Sequence, residues 1–246
     1  MLGWGRSGRV AVMGHRGAPT LAPENTLASF ARALEIGVDY VELDVHLSRD
    51  GALVVIHDHT LERTTDGAGP VGERSLEEIQ RLEAGAWFDP SFAGERVPTL
   101  DQVLELVAGR CDVAVEIKNG PIFYPGIEEA VLRTLERRRA LGRSIVISFD
   151  HPSVLRFKEL APQSRTGVLF VGRPADPAQL AKEARAEALM PLWTDVTPEL
   201  ISSAHRAGLG VIPWTVDDPE AMRRVAGMGV DGIVTNCPDR LVAVLG

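Results

Sequence analysis

The stretch that decides the fold is residues 41–58, VELDVHLSRDGALVVIHD. It contains two apolar runs on either side of Asp50-Gly51, a dipeptide that favours a two-residue turn between antiparallel strands. The stretch therefore predicts a β-hairpin whose first strand is long and largely apolar.

Two carboxylates and a histidine converge within this hairpin. Residues i and i+2 of a strand share a face, so Glu42 and Asp44 point the same way. With a two-residue turn, the numbers of paired positions sum to 101, which predicts that His57 lies directly opposite Asp44. Side chains opposite each other lie roughly 5 Å apart. The group indicates a hard-cation site with an acid/base residue, and the alternative is a solvated hairpin face.

Outward from the hairpin, apolar strand-like runs alternate with helical patterns along the whole chain. The predicted strands are 9–15, 40–47, 113–118, 144–149, 165–170, 188–193, 210–216 and 232–236. The predicted helices are 25–36, 100–108, 126–141, 152–160, 177–186, 198–207, 219–228 and 238–245. This alternation predicts an α/β fold of the (β/α)8 TIM-barrel class, with residues 1–246 as one catalytic domain. A doubly wound open sheet is the alternative.

Residues 58–98 interrupt the alternation after the second strand. They are rich in Gly, Pro, Asp and Thr, and they are too long for a structureless loop in a compact domain. Ser75 and Glu78 have the spacing of a capping box at the start of a short helix. We therefore expect an inserted subdomain over the mouth of the barrel.

Composition and charge exclude several classes of protein. The formal net charge of −8 argues against nucleic-acid binding, because phosphate contacts require a basic surface. Two cysteines are too few for a disulfide framework. The chain has no apolar run of membrane-spanning length and no signal-peptide pattern, so we expect a cytoplasmic protein without a membrane span. Its oligomeric state stays open.

Ionisable residues gather at the ends of the first three barrel strands. Reactive groups of such barrels lie at the C-terminal ends of the strands. The ionisable residues there are His15, Arg16, Glu42, Asp44, Glu116 and Lys118. The seventh barrel strand ends instead in Trp214. This asymmetry predicts a charged reaction centre with an apolar wall on its far side.

Three carboxylates at one rim repel each other unless a cation lies among them. Glu42, Asp44 and Glu116 form such a set, and ligation by oxygen alone favours Mg²⁺ or Ca²⁺ over zinc. The alternative is a layer of salt bridges with Lys118 and Arg16.

The two histidines at strand ends, His15 and His57, lie beside the predicted carboxylate cluster. Their position favours a pair of acid/base groups. We expect the other histidines to be structural, although His46 has the same strand parity as Asp44.

In these residues the chain resembles the glycerophosphodiester phosphodiesterase family, over nearly its whole length. The matching motifs are His15-Arg16-Gly17, Pro23-Glu24-Asn25-Thr26, Glu42-Leu43-Asp44, His57-Asp58, Glu116-Ile117-Lys118, Trp214-Thr215 and residues 229–235. Their order and spacing together are highly specific. One departure is Asn236, where the family commonly carries an acidic residue, which weakens any role for this position.

The resemblance implies a (β/α)8 barrel with an insertion after strand 2. It implies that Glu42, Asp44 and Glu116 hold a divalent cation, Mg²⁺ or Ca²⁺. It also implies His15 and His57 as general acid and base, Arg16 and Lys118 as phosphate contacts, and Trp214 as part of the substrate pocket. The expected enzyme is a phosphoric diester hydrolase that converts a small-molecule glycerophosphodiester to glycerol 3-phosphate and an alcohol.

Three other functions stay open from the sequence. A lysophospholipase-D-like enzyme would use the same site, with the apolar loop 121–125 against an acyl chain. A metal-dependent barrel that forms enolates would need no histidine pair facing a phosphodiester. A barrel that only binds a phosphate ligand would show no turnover.

Overall fold

The computed structural model describes Trp4 and residues 9–246, and its central feature is a barrel of parallel strands. The barrel strands are β1 Ala11–Gly14, β2 Tyr40–Leu47, β4 Asp112–Ile117, β5 Ser144–Ser148, β6 Arg165–Phe170, β7 Ala188–Pro191, β8 Gly210–Val211 and β9 Gly232–Thr235, and β3 Leu53–Val55 pairs with β2. The helices are α1 Leu27–Ile36, α2 Leu76–Gln80, α3 Leu100–Val107, α4 Ile127–Arg137, α5 His151–Leu160, α6 Pro177–Ala184, α7 Pro198–Arg206, α8 Pro219–Gly227 and α9 Pro238–Leu245. The predicted TIM barrel is confirmed.

Backbone hydrogen bonds between residues 211–213, at the end of β8, and residues 231–234, around β9, close the barrel. The Asp231 N–H donates to the Val211 carbonyl at 2.9 Å, and the Val234 N–H donates to the Pro213 carbonyl at 2.9 Å. This closure excludes the doubly wound open sheet. Strand β8 is shorter than the predicted 210–216, although the Ile212 and Trp214 N–H groups still donate to the Leu189 and Pro191 carbonyls of β7.

Alternate residues of each strand face either the barrel interior or the surrounding helices. The interior is filled by Ala11, Met13, Tyr40, Ala114, Ile145, Ile147, Leu169, Ala188, Met190, Ile212 and Val234, together with Trp4. Glu42 and Asp44 continue the parity of Tyr40, whereas Leu43 packs in the outer core. The apolar filling therefore separates the polar side chains at the C-terminal end of the barrel from Arg165, which contacts Asp112 and Tyr40 at the other end.

The hairpin of β2 and β3 has a different register from the predicted one. The pairs are Val45 with Val55 and Leu47 with Leu53, so position numbers sum to 100. The loop has three residues, 49–51, with Gly51 at φ 79°. A three-residue loop of this kind is a type I turn followed by a glycine in the left-handed conformation. The Asp-Gly dipeptide alone does not distinguish this loop from a two-residue turn.

The register prediction for His57 was therefore wrong. A slip of one residue moves every side chain to the other face, and the partner of Asp44 is Ile56, whose N–H donates to the Asp44 carbonyl at 3.1 Å. His57 lies beyond the last paired residue, so the direction of its side chain does not follow the alternation of faces along the strand.

The segment 58–98 has its own apolar cluster. Val54 and Ile56 of the hairpin side pack with Leu61, Val71, Ile79, Ala84 and Val97. Ser75 and Glu78 form the predicted capping box of α2. The assignment of one domain with an inserted subdomain stays a prediction.

Several helix boundaries follow the local signals in the sequence. Proline occupies one of the first two positions of α5, α6, α7, α8 and α9, and the side chains of Thr197 and Asp218 cap α7 and α8. In the described part of the chain, no helix is both long and apolar enough to cross a bilayer.

Gly17→Ala is expected to destabilise the turn that follows β1. Gly17 has φ 94°, and a Cβ there would lie 2.4 Å from Ser29 Oγ and 2.7 Å from the Ser29 carbonyl carbon. Strain and overpacking together cost about 2–4 kcal/mol of unfolding free energy, measurable by urea denaturation. Gly37→Ala is the matched control, because Gly37 has φ 88° with nothing within 4 Å. Equal losses in both variants would show that the contact with Ser29 has no effect.

Candidate active site

A pocket of about 140 Å³ opens at the C-terminal end of the barrel. One side is polar and contains His15, Arg16, Glu42, His57, Glu116 and Lys118. The opposite side contains Ile147, Phe149, Leu169, Met190, Trp214 and Val234. Of the predicted site residues, Asp44 alone is not in the lining, because it lies fully buried below the polar side.

Glu42, Asp44 and Glu116 form a buried carboxylate cluster. One oxygen of each lies within 4.8 Å of the others. Strands β2 and β4 pair in parallel with Asp44 beside Glu116, and Glu42 lies two residues before Asp44 on the same face of β2. Burial raises the pKa of Glu42 well above its usual range and that of Glu116 to about 7. Charging all three acids is therefore costly unless a cation lies with them.

Two cationic side chains contact this cluster. Lys118 Nζ lies 2.6 Å from Glu116 Oε1 and 3.0 Å from Asp44 Oδ1, and Arg16 Nε lies 3.4 Å from Asp44 Oδ2. Although burial opposes it, the charges of Lys118 and Arg16 hold the pKa of Asp44 well below its usual range. The salt-bridge layer considered from the sequence therefore exists, and it includes two of the three predicted metal ligands.

The cluster also fits a divalent cation. Among the residues the structure describes, Asp44 Oδ1 is a buried oxygen without a hydrogen bond, despite its proximity to Lys118. A carboxylate oxygen has two lone pairs, so the ion pair with Lys118 leaves one for a further cation. The donors are carboxylate oxygens only, as Mg²⁺ and Ca²⁺ prefer. When all three acids are ionised, their negative charges outnumber the positive charges of Lys118 and Arg16, and a divalent ion would compensate the difference.

His57 is oriented by the next residue in the chain. Its Nδ1 lies 2.6 Å from Asp58 Oδ1, and Arg63 Nε donates to Asp58 Oδ2 at 2.7 Å. A carboxylate only accepts, so Nδ1 carries the hydrogen and Nε2 is free of this contact. Burial lowers the pKa of His57, which favours the neutral ring.

Arg63 also connects the segment 58–98 to the loop between β1 and α1. Its two terminal nitrogens each donate to Glu24 at 2.8 Å, and Glu24 accepts from Arg16 Nη1 at 2.8 Å. Residues 23–26, one of the motifs in the sequence, directly precede α1. Thr26 caps α1, but Asn25 Nδ2 donates to Asp44 Oδ2 at 2.8 Å, a contact that the sequence did not indicate.

His15 is oriented by a residue at the far end of the chain. Its Nδ1 lies 2.6 Å from Asn236 Oδ1, and its Nε2 lies 4.0 Å from Glu42 Oε2. Burial lowers the pKa of His15 to about 4. The sequence assigned no role to Asn236, because the motif comparison put this position in doubt.

His46 supports the backbone at His57. It is buried, with Nε2 at 3.0 Å from the His57 carbonyl oxygen and Nδ1 at 3.0 Å from the Tyr124 hydroxyl. The expectation of a structural histidine agrees with this position. The parity of His46 with Asp44 was the one signal that linked it to the site.

Trp214 is fixed in the apolar wall. Its Nε1 donates to the Met190 carbonyl at 2.8 Å, and its ring meets Phe149 edge to face at 5.3 Å between centroids. The pocket thus joins a charged side, suited to a phosphate, with a rigid apolar side.

Comparisons with known proteins agree with this site. The sequence profile of the Glycerophosphoryl diester phosphodiesterase family matches residues 15–240. A glycerophosphodiester phosphodiesterase of Caldanaerobacter subterraneus subsp. tengcongensis is 43% identical over 235 residues, which cover 95% of this chain and 97% of that protein. A relative of the same name from Bacillus altitudinis is 37% identical over 237 residues, covering 95% of this chain and 97% of that protein.

Solved structures give the same result. A glycerophosphodiester phosphodiesterase from Agrobacterium tumefaciens matches with a TM-score of 0.85 and 34% identity, covering 95% of this chain and 99% of that one. An Oleispira antarctica phosphodiesterase, in complex with the product sn-glycerol-3-phosphate, matches with a TM-score of 0.88 and 28% identity, covering 95% and 96%. This chain therefore belongs to the glycerophosphoryl diester phosphodiesterase family, whose members are phosphoric diester hydrolases.

Proposed function

We propose that this protein hydrolyses glycerophosphodiesters to glycerol 3-phosphate and an alcohol, with a divalent cation held by Glu42, Asp44 and Glu116. The observation that carries the proposal is one pocket that joins this buried carboxylate cluster to two oriented histidines. The product complex of the Oleispira antarctica relative supports the choice of substrate.

The charged side of the pocket binds the phosphate in this proposal. A bound Mg²⁺ or Ca²⁺ supplies Lewis-acid polarisation of a phosphate oxygen. Arg16 and Lys118 stabilise the charge that develops on the remaining oxygens. Both line the pocket, and their contacts with Asp44 hold them in place before substrate arrives.

The two histidines move protons. One removes a proton from the nucleophile, the other protonates the leaving alkoxide, and each such role contributes roughly 10²–10⁴-fold. The nucleophile is either water or the glycerol 2-hydroxyl, which would give a cyclic phosphate. Phosphorus NMR of the reaction distinguishes the two routes by the presence of that intermediate.

The test is a steady-state assay of glycerophosphocholine against lysophosphatidylcholine, with Mg²⁺ or Ca²⁺ added. We expect the first to be the better substrate, because the pocket of about 140 Å³ is smaller than the roughly 300–1,000 Å³ typical for drug-sized ligands. Phe123 of the apolar loop 121–125 is 67% exposed and could contact an acyl chain. Preference for the lysophospholipid would indicate such a contact and overturn the proposal. If neither compound is turned over, the remaining functions are a barrel that only binds a phosphate ligand and an enzyme with a different reaction.

Trp214→Ala is expected to raise KM for glycerophosphocholine about tenfold, with a smaller change in kcat. Loss of one large apolar contact costs on the order of 1–3 kcal/mol, and 1.4 kcal/mol is tenfold. Trp87→Ala is the control, since Trp87 is an exposed indole outside the pocket. An unchanged KM in Trp214→Ala would show that the indole ring does not contact the substrate.

A further inference from the structure

Asp217, which follows β8, binds the last residue of β9 and the residue after it through three hydrogen bonds. Its Oδ1 accepts from the Asn236 N–H at 2.8 Å and from Thr235 Oγ1 at 3.1 Å, and its Oδ2 accepts from Asn236 Nδ2 at 2.7 Å. Asp217 lies outside the pocket lining, so its effect on the site passes through Asn236.

These contacts fix which end of the Asn236 amide faces His15. A carboxylate accepts hydrogen bonds and donates none, so the NH₂ group must point to Asp217. The amide oxygen is then the atom at 2.6 Å from His15 Nδ1. Because this oxygen also only accepts, Nδ1 must carry the hydrogen, and the neutral ring has its lone pair at Nε2.

We propose that Asp217 is a positioning residue that selects the Nδ1–H tautomer of His15 through the side-chain amide of Asn236. Its catalytic consequence rests on the proposed function. Both roles open to His15 need this arrangement, because a base accepts the proton at Nε2 and an acid releases it from Nε2, while Nδ1 keeps its hydrogen. The reversed amide would present NH₂ to Nδ1 and place the hydrogen on Nε2.

The contrast with His57 explains why His15 needs a second residue. Asp58 contacts His57 Nδ1 directly, and either oxygen of a carboxylate accepts. An amide accepts at one end only, so its orientation must be fixed by a further partner. Asp217 is that partner for Asn236.

Asp217→Asn is expected to release the amide of Asn236, because the new side chain can present either a donor or an acceptor. We expect kcat on glycerophosphocholine to fall about 10- to 100-fold with little change in KM, as is usual when the support of a functional histidine is lost. In ¹⁵N NMR of histidine-labelled protein, the His15 signals are expected to change from the Nδ1–H tautomer to a mixture.

The exchanged pair is the decisive variant. Asn236→Asp alone puts two carboxylates at the position of a 2.7 Å hydrogen bond, and we expect lower activity and a lower Tm. In Asp217→Asn with Asn236→Asp, the amide at 217 donates to the carboxylate at 236, which accepts from His15 Nδ1. We expect kcat to return to within about threefold of wild type and the Nδ1–H signals to reappear.

Asp239→Asn is the matched control, an exposed carboxylate three residues after Asn236. Wild-type kcat and tautomer in Asp217→Asn would overturn the inference. So would a lower Tm with the Nδ1–H tautomer retained, because the role would then be structural only. Absence of turnover in the wild-type protein would reject the proposed function instead, and the NMR measurement would still decide the tautomer.

Discussion

His57→Ala is expected to lower kcat on glycerophosphocholine by about 10²–10⁴-fold, the contribution of a positioned acid/base group. The side chain lines the pocket, and Asp58 fixes its ring by a 2.6 Å contact. Because the side chain is 33% exposed, its removal leaves little core unfilled, and Tm is expected to stay close to that of the wild type. Steady-state kinetics and thermal unfolding measure the two effects.

His205→Ala is the control for this variant, because His205 is a half-exposed histidine on α7 outside the pocket. We expect its kcat to match the wild type. Turnover of His57→Ala within a few-fold of wild type, at full cation occupancy, would reject an acid/base role for His57.

Removal of divalent cations with EDTA is expected to abolish turnover, and added Mg²⁺ or Ca²⁺ to restore it. The physical reason is the cost of three buried acids whose oxygens lie within 4.8 Å of one another. Binding is also measurable without activity. At a cation concentration of 100 times Kd, the folded state gains about 2.7 kcal/mol, which corresponds to a Tm increase of ~5–10 °C for a chain of this length.

Glu116→Gln tests the cluster as the source of this increase. The change removes one charge and one ligand oxygen, so we expect the cation-dependent rise in Tm to shrink or disappear. Glu128→Gln is a close control, because Glu116 and Glu128 are each 7% exposed, and Glu128 accepts a hydrogen bond from Ser153 away from the pocket. An equal cation-dependent rise in Glu116→Gln and wild type would place the cation elsewhere.

The sequence predicted the barrel well, because the signals are local. Strands buried on both faces require continuous apolar runs, and prolines and caps mark where helices begin. It also placed the polar cluster, since residues at i and i+2 of a barrel strand must share a face. Glu42 and Asp44 follow directly from Tyr40 by this rule, and Glu116 follows from Ala114.

The hairpin shows where local signals fail. Asp50-Gly51 is compatible with loops of two or three residues, and the choice shifts the whole register by one. His57 lines the pocket, but for a reason other than the predicted pairing with Asp44. The sequence predicted that His57 belongs to the site, but it did not predict the backbone geometry that brings the side chain there.

The sequence by itself determined the fold class and which strand ends carry charge, because burial and strand parity are properties of neighbouring residues. Only the tertiary structure decided which groups orient those charges. Asn236 reaches His15 across 221 positions, and Arg63 reaches Glu24 across 39. The first contact depends on the closure of the barrel, and the second depends on how segment 58–98 packs at the mouth of the barrel. No periodicity along the chain indicates that residues so far apart in the sequence are in contact.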